Sequence, residues 1–160
     1  ILSLAFLGLA GCTKFDASKD AYFQNRGDEE YQAGNFEEAI GHFSKAIELN
    51  PSNALAYANR CGAKMSLGEN TAAEKDCDKA IELDASIAAA YASRCGAKYN
   101  QAKNESAVED CTKAIDLDSK SEAAYTNRCS AKINLGDSKG AISDCDKAIE
   151  LNSENYFNDH

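Results

Sequence analysis

The chain has 160 residues, of which 27% are charged and 44% hydrophobic, with one proline and no tryptophan. That length can bury one domain core, and the scarcity of helix breakers favours an all-α fold. The net charge of −9 excludes nucleic acid as the main partner, because phosphate binding requires a cationic surface.

The chain opens with an apolar segment that ends at a cysteine. Residues 1–11 are uncharged and too few to span a bilayer as a helix, so we predict part of a signal peptide. The sequence Leu9-Ala10-Gly11-Cys12 resembles the lipobox of bacterial lipoproteins. The resemblance implies cleavage before Cys12 and lipidation of its thiol and amino group, and several acyl chains anchor a protein stably.

Two other interpretations of this segment stay open: an ordinary signal peptide, or a buried apolar helix with an incidental cysteine. The segment departs from the lipobox pattern in having no initiator Met and no basic stretch before it, so we expect the signal to begin before Ile1. A non-acidic Thr13 after Cys12 resembles lipoproteins sent to an outer membrane, which implies a periplasm-facing location. Residues 12–19 are predicted to form a polar tether.

A motif then recurs every 34 residues. The phrase Lys-Ala-Ile-Glu/Asp-Leu begins at Lys45, Lys79, Lys113 and Lys147. An aromatic series keeps the same interval, at Phe23, Tyr57, Tyr91 and Tyr125. The units span residues 20–53, 54–87, 88–121 and 122–155, and residues 156–160 form a tail.

This pattern resembles the tetratricopeptide repeat, with an aromatic early in the unit, a small residue in the middle and Ala near the end. The resemblance implies an all-α solenoid: four antiparallel helix–turn–helix units stacked in a right-handed superhelix. The turn inside each unit carries Gly34, Gly68 and Gly136, which suit a left-handed helix C-cap, and the third unit departs with Ala102.

Six cysteines occupy the eighth and twenty-fourth positions of units two to four, which face each other in an antiparallel helix pair. Unit one has neither and carries Gly27 and Phe43 instead. Export would supply an oxidising compartment, whereas six buried free thiols are the alternative. Zinc is not expected, since no close cysteine pair exists and the only histidines are His42 and His160. We predict three disulfides within units: Cys61–Cys77, Cys95–Cys111 and Cys129–Cys145.

In tetratricopeptide arrays the first helices line a concave groove, with the second, fifth, sixth, ninth, twelfth and thirteenth positions facing inward. The sixth position predicts a polar row of Asn25, Asn59, Ser93 and Asn127. The twelfth predicts an apolar and aromatic row of Tyr31, Met65, Tyr99 and Ile133. Amides can donate to and accept from an extended peptide backbone, and the apolar row can receive its side chains. The alternative is that these residues are simply tolerated at solvated positions.

Charged rows flank the groove. Arg26, Arg60, Arg94 and Arg128 occupy the seventh position, and Lys64, Lys98 and Lys132 the eleventh; pairing within the molecule is their expected use. Asp76, Asp110 and Asp144 each precede a lysine by three residues, a spacing suited to ion pairs on a solvated helix face.

Some tetratricopeptide domains clamp the acidic C-terminal tail of heat-shock chaperones with Lys, Asn and Arg. The matching positions here are Gln24, Asp28, Asn59, Ala89 and Ser93, of which Asn59 alone fits. A register one repeat later fits at no position, so we do not expect this chain to bind such a tail.

These features predict a scaffold or adaptor that is lipid-anchored in a bacterial envelope and binds a protein or peptide partner in its groove. The alternative is a structural subunit of an envelope assembly, docked by its edges or its C-terminal end. No nucleophile–base pair, metal cluster or phosphate loop is evident. We therefore expect no catalysis, no cofactor and no small-molecule substrate.

Overall fold

A computed structural model describes residues 17–158, and the side chains of residues 19–153. Cys12 and the predicted signal at 1–11 lie outside the described residues. Within that range the chain forms eight α-helices and no strand: α1 (Ala17–Gln32), α2 (Phe36–Leu49), α3 (Ala54–Ser66), α4 (Asn70–Leu83), α5 (Ala88–Asn100), α6 (Asn104–Leu117), α7 (Glu122–Asn134) and α8 (Ser138–Asn158).

The helices pack as four consecutive pairs, α1 with α2 through α7 with α8. Each second helix also packs against the first helix of the next pair, and α3, α5 and α7 contact one another in turn. The all-α solenoid is thereby confirmed, with the first helices side by side along one face. Helix α1 begins at Ala17, inside the segment 12–19 predicted as a tether, and α8 runs to Asn158, inside the predicted tail.

Small side chains allow the helices to approach closely. Ala39, Ala73 and Ala107, at the twentieth position, are fully buried, as are Ala46, Ala80 and Ala114 at the twenty-seventh. Because an alanine side chain is a single methyl group, the facing helix packs almost against the backbone of the helix that carries the alanine. The core is therefore a series of small clusters: two between units one and two, one between units two and three, and one between units three and four.

Left-handed residues close the turns within units, as predicted. Gly34, Gly68 and Gly136 have φ of 81°, 78° and 80°, a region that glycine adopts without steric cost. Ala102 takes the same role in the third unit with φ of 59°, so its Cβ is accommodated at some cost in energy.

Candidate functional site

Each of units two to four joins its two helices through a cysteine pair. The Cα atoms lie 5.4 Å apart in Cys61–Cys77, 5.3 Å in Cys95–Cys111 and 5.5 Å in Cys129–Cys145. All three pairs have their sulfurs at bonding distance, so the structure joins the residues that the sequence analysis paired. Each bridge links a first helix to the second helix of the same unit.

Unit one fills the space between its two helices without a disulfide. Phe43 is fully buried at the twenty-fourth position, and Gly27 faces it at the eighth. A methyl group added to Gly27 would lie 2.5 Å from Cε1 of Phe43. The phenyl ring therefore fills the volume that a cystine fills in the other units.

A second link in units two to four is an ion network around a buried aspartate. Arg94 donates to both carboxylate oxygens of Asp110, at 2.8 and 2.6 Å, and Lys98 lies 2.8 Å from the same carboxylate. The Arg94 guanidinium also stacks over Tyr91, 5.5 Å from the ring centroid. It reaches the preceding unit by donating to Asp78 at 2.7 Å.

The same bidentate pair and lysine recur around Asp76 and Asp144, where the arginine reaches the preceding unit through the hydroxyl of Ser44 or Thr112. Asp76, Asp110 and Asp144 are only 4–6% exposed, and bidentate guanidinium–carboxylate pairing satisfies such buried charges. Burial raises the pKa of Asp144, but hydrogen bonds from Arg128 and Lys132 outweigh burial and hold that pKa below its ordinary value. The basic rows are thus paired inside the molecule, as expected.

The predicted partners of these aspartates were wrong. Lys79 binds Glu82 at 2.9 Å, whereas Asp76 is buried against Arg60 and Lys64 of the neighbouring helix. A three-residue spacing indicates only which side chains share a helix face. The bidentate partner, Arg60, lies 16 residues away on the facing helix. A spacing within one helix gives no information about such a partner.

Unit one departs from this network as well. Arg26 pairs with Glu29 and Glu30 of its own helix, because His42 stands where the other units have an aspartate. The buried Asp20 instead accepts a hydrogen bond from Asn50 at 2.9 Å.

The predicted groove residues fall into different environments. Tyr31, Asn59 and Ser93 line one cavity of about 430 Å³, formed by α1, α3 and α5. Asn127 and Met65 both lie beside Gly96, where an added methyl group would be 3.1 Å from Nδ2 of Asn127 and 3.5 Å from Sδ of Met65. The remaining three are scattered: Asn25 is exposed outside this cavity, Tyr99 packs against the core near Cys95, and Ile133 is 60% exposed at the C-terminal end.

Glycine shapes the floor of the Tyr31 cavity. A methyl group at Gly62 would lie 3.3 Å from the Tyr31 hydroxyl and 3.5 Å from Oγ of Ser93. A glycine in a helix interior costs about 1 kcal/mol relative to alanine. The bare backbone here lets both hydroxyls approach the helix.

Asp28 also lies in the groove, although the sequence pattern indicated it only as a mismatch to the chaperone-tail clamp. It lines the cavity with Tyr31 and Asn59. Oδ1 of Asp28 accepts from Asn59 at 2.6 Å and from Gln24 at 3.2 Å. At the six inward positions of the four units it is the one charged residue. A count of charge over those positions would have singled it out.

The C-terminal end of the array presents a different surface. Ile133, Ile142 and Ile149 are 60%, 63% and 67% exposed. Ile115, which occupies the position of Ile149 one unit earlier, packs instead against the core. The exposed face encloses a cavity of about 640 Å³ lined by the cystine Cys129–Cys145, Ile133 and Ile149.

Two negative findings apply to the described residues. No helix between residues 17 and 158 is both long and apolar enough to cross a membrane. In the same part of the chain, no three His, Cys, Asp or Glu side chains are grouped so as to hold a metal ion.

Stacked helix pairs with a groove along their first helices define a helical-repeat protein of the solenoid class. A family model described as "TPR repeat" matches residues 27–61, and one described as "Tetratricopeptide repeat" matches residues 54–87 and 123–155. The chain therefore belongs to the tetratricopeptide-repeat proteins.

Relatives and solved structures agree with this assignment. Small glutamine-rich tetratricopeptide repeat-containing protein beta of Homo sapiens is 35% identical over 71 residues, which are 44% of this chain and 23% of that protein. The chain thus matches about a quarter or less of the length of such relatives.

Two solved domains resemble most of the chain. The first repeat domain of Spaghetti (RPAP3), bound to the HSP90 peptide SRMEEVD, superposes with a TM-score of 0.70 and 26% identity over 76% of this chain and 96% of that one. The second repeat domain of human RPAP3, in complex with the HSP70 peptide SGPTIEEVD, gives 0.66 and 30% over 72% and 96%. Tetratricopeptide domains of this kind bind proteins, and this chain has the same kind of scaffold.

Proposed function

We propose that the chain holds an extended polypeptide in the groove formed by its first helices. The observation that carries the proposal is the cavity between α1, α3 and α5, where Tyr31, Asn59 and Ser93 converge. Amide and hydroxyl groups there can bond to a peptide backbone in either sense. The ring of Tyr31 offers apolar area beside them.

The groove does not suit the acidic peptides bound by the similar RPAP3 domains. Those peptides end in EEVD. Here Asp28 faces the cavity, and the nearby Arg60 and Lys64 are committed to Asp76. A carboxylate in the groove repels an acidic ligand, so we infer a different class of peptide for this chain.

Cross-linking in the native envelope tests the groove. A photo-reactive residue at Ser93 should capture a partner, and Tyr31→Ala with Asn59→Ala should reduce that capture by about tenfold, since interface anchors of this kind contribute about 1 kcal/mol or more each. Asp116→Asn, on the exposed surface of α6, is the matched control. Capture that is unchanged in the groove variant would refute the proposal.

We further propose that this scaffold is exported and lipid-anchored through Cys12 in the envelope of a bacterium, facing the periplasm from the outer membrane. The support is the resemblance of residues 9–12 to a lipobox and the three cystines, which persist in oxidising compartments. Labelling with radioactive palmitate should mark the wild-type chain and leave Cys12→Ser unlabelled. Equal labelling of both chains would rule the anchor out.

A second candidate is a structural subunit docked by its C-terminal end. The exposed Ile133, Ile142 and Ile149 favour it, because monomers seldom present contiguous apolar patches of this kind. The discriminating variant is Ile149→Asp in the same cross-linking assay. A groove binder retains its partner in this variant, whereas an end-docked subunit loses it and tolerates Tyr31→Ala with Asn59→Ala.

A further inference from the structure

We propose that the groove recognises a cationic side chain of its ligand, a Lys or Arg that binds Asp28 in the cavity between α1, α3 and α5. The inference rests on the proposed peptide-binding function and specifies which peptide is bound.

Asp28 retains capacity to accept hydrogen bonds. Its Oδ1 accepts from the amides of Asn59 and Gln24, while its Oδ2 has one contact, to Gln24 at 3.4 Å. An ionised carboxylate offers about four lone-pair sites. Both donors are neutral, so they orient the carboxylate without cancelling its charge.

No cation within the described part of the chain neutralises Asp28. Among residues 19–153 its polar partners are the two amides alone, and Arg60 and Lys64 are bound to Asp76, at 2.7 Å each. The half-buried cations of units three and four are likewise bound to aspartates. The groove is left with one fixed negative charge.

The walls of the cavity suit an ammonium or guanidinium group. The ring of Tyr31 lies beside Asp28, and aromatic faces attract cations. The hydroxyl oxygens of Tyr31 and Ser93, which both approach Gly62, can accept hydrogen bonds from such a group. A volume of about 430 Å³ has room for one long side chain together with part of its backbone.

Gln24 adds a further acceptor behind Asp28. Its amide nitrogen donates to the carboxylate, while its Oε1 is buried and accepts no hydrogen bond from the described residues. Buried side-chain oxygens without a donor are rare in folded proteins. The cluster at this end of the groove therefore has more acceptors than donors, which favours a ligand that brings donors.

The test is selection of binders from a phage-displayed library of random decapeptides on the immobilised full chain. At one peptide position we expect Lys and Arg together to be about tenfold more frequent among the selected binders than in the unselected library. This is the ratio expected of one half-exposed charged hydrogen bond. Selection on Asp28→Asn should abolish that enrichment and leave the preferences at other positions. Asp28→Lys should replace it with enrichment of Asp and Glu.

The matched control is Asp116→Asn, which removes the same charge from the exposed surface of α6, outside the cavity, and should leave the enrichment intact. Because the chain carries a net charge of −9, diffuse attraction would enrich basic residues at all positions and respond equally to both variants, and that result overturns the inference. Binders that need Tyr31 and Asn59 but show no basic preference also overturn the inference, although they uphold the groove. Binders indifferent to Tyr31→Ala with Asn59→Ala contradict the proposed function itself.

Discussion

One pair of positions, the eighth and the twenty-fourth, shows how single residues replace one another in this array. Units two to four fill the space between their helices with a cystine, and unit one fills it with Phe43 against Gly27. The two solutions have similar bulk, yet only the cystine adds a covalent link. The phenyl ring fits only because the facing residue has no side chain.

Gly27→Ala should therefore destabilise the chain, by up to about 2 kcal/mol in urea unfolding. The added methyl group would overlap the buried ring of Phe43, and overpacking costs about 1–3 kcal/mol, more than the gain of about 1 kcal/mol in helix propensity. Gly41→Ala is the control, because nothing lies within 4 Å of its new methyl group. It should stabilise by about 0.5–1 kcal/mol, and two stabilising variants would contradict the close packing.

At the scale of helices, the sequence predicts which helices pack together better than it predicts which charged side chains form ion pairs. The 34-residue period and the glycine turns were sufficient to predict four helix pairs, because they depend on local spacing. The partner of Asp76 was predicted wrongly, since helical spacing alone favoured Lys79 over the cations of the facing helix. Asp28 stands out in the sequence as the one charged residue at the inward positions. That it has no cation partner among the described residues depends on Arg60 and Lys64 being bound to Asp76, and such contacts between helices do not follow from the sequence.

The aspartate networks should make helix pairing sensitive to acid. The pKa of Asp144 is lower in the folded chain than its ordinary value of 3.8, because Arg128 and Lys132 stabilise the carboxylate despite its burial. As the pH falls, the carboxyl of Asp144 therefore binds a proton in the unfolded chain before it does so in the folded chain. The stabilisation is present above the ordinary pKa and is lost as the pH falls through the lower pKa of the folded chain. We expect the free energy of unfolding to decline from about pH 5 downward.

Asp144→Asn isolates this contribution. At pH 7 the variant should lose about 3 kcal/mol, the cost of leaving buried cations without their partner, and its stability should decline less steeply toward pH 3 than that of the wild type. Asp146→Asn changes an exposed carboxylate on the same helix and should leave the slope unaltered. Parallel pH profiles for Asp144→Asn and the wild type would show that the network carries no such linkage.

At the scale of the whole molecule, the array is stabilised unevenly along its length. The stability of stacked repeats is approximately a sum of unit and interface terms. Units two to four each contain a cystine and an aspartate network, whereas unit one has neither. The cavity lined by Asp28 lies between the unit without a cystine and units that have one, because α1 belongs to unit one and α3 and α5 belong to the cross-linked units.

Hydrogen exchange should reveal the asymmetry. Each bridge closes a loop of 16 residues, which stabilises by about 3 kcal/mol in the chain-entropy model. Without reductant, the amides of α1 and α2 should therefore exchange faster than those of α5 and α6. Reduction should accelerate α5 and α6 by about a hundredfold and leave α1 and α2 nearly unchanged. The double variant Cys95→Ala with Cys111→Ala should accelerate unit three even without reductant, and alkylation of all six thiols in the unreduced chain would contradict the bridges themselves.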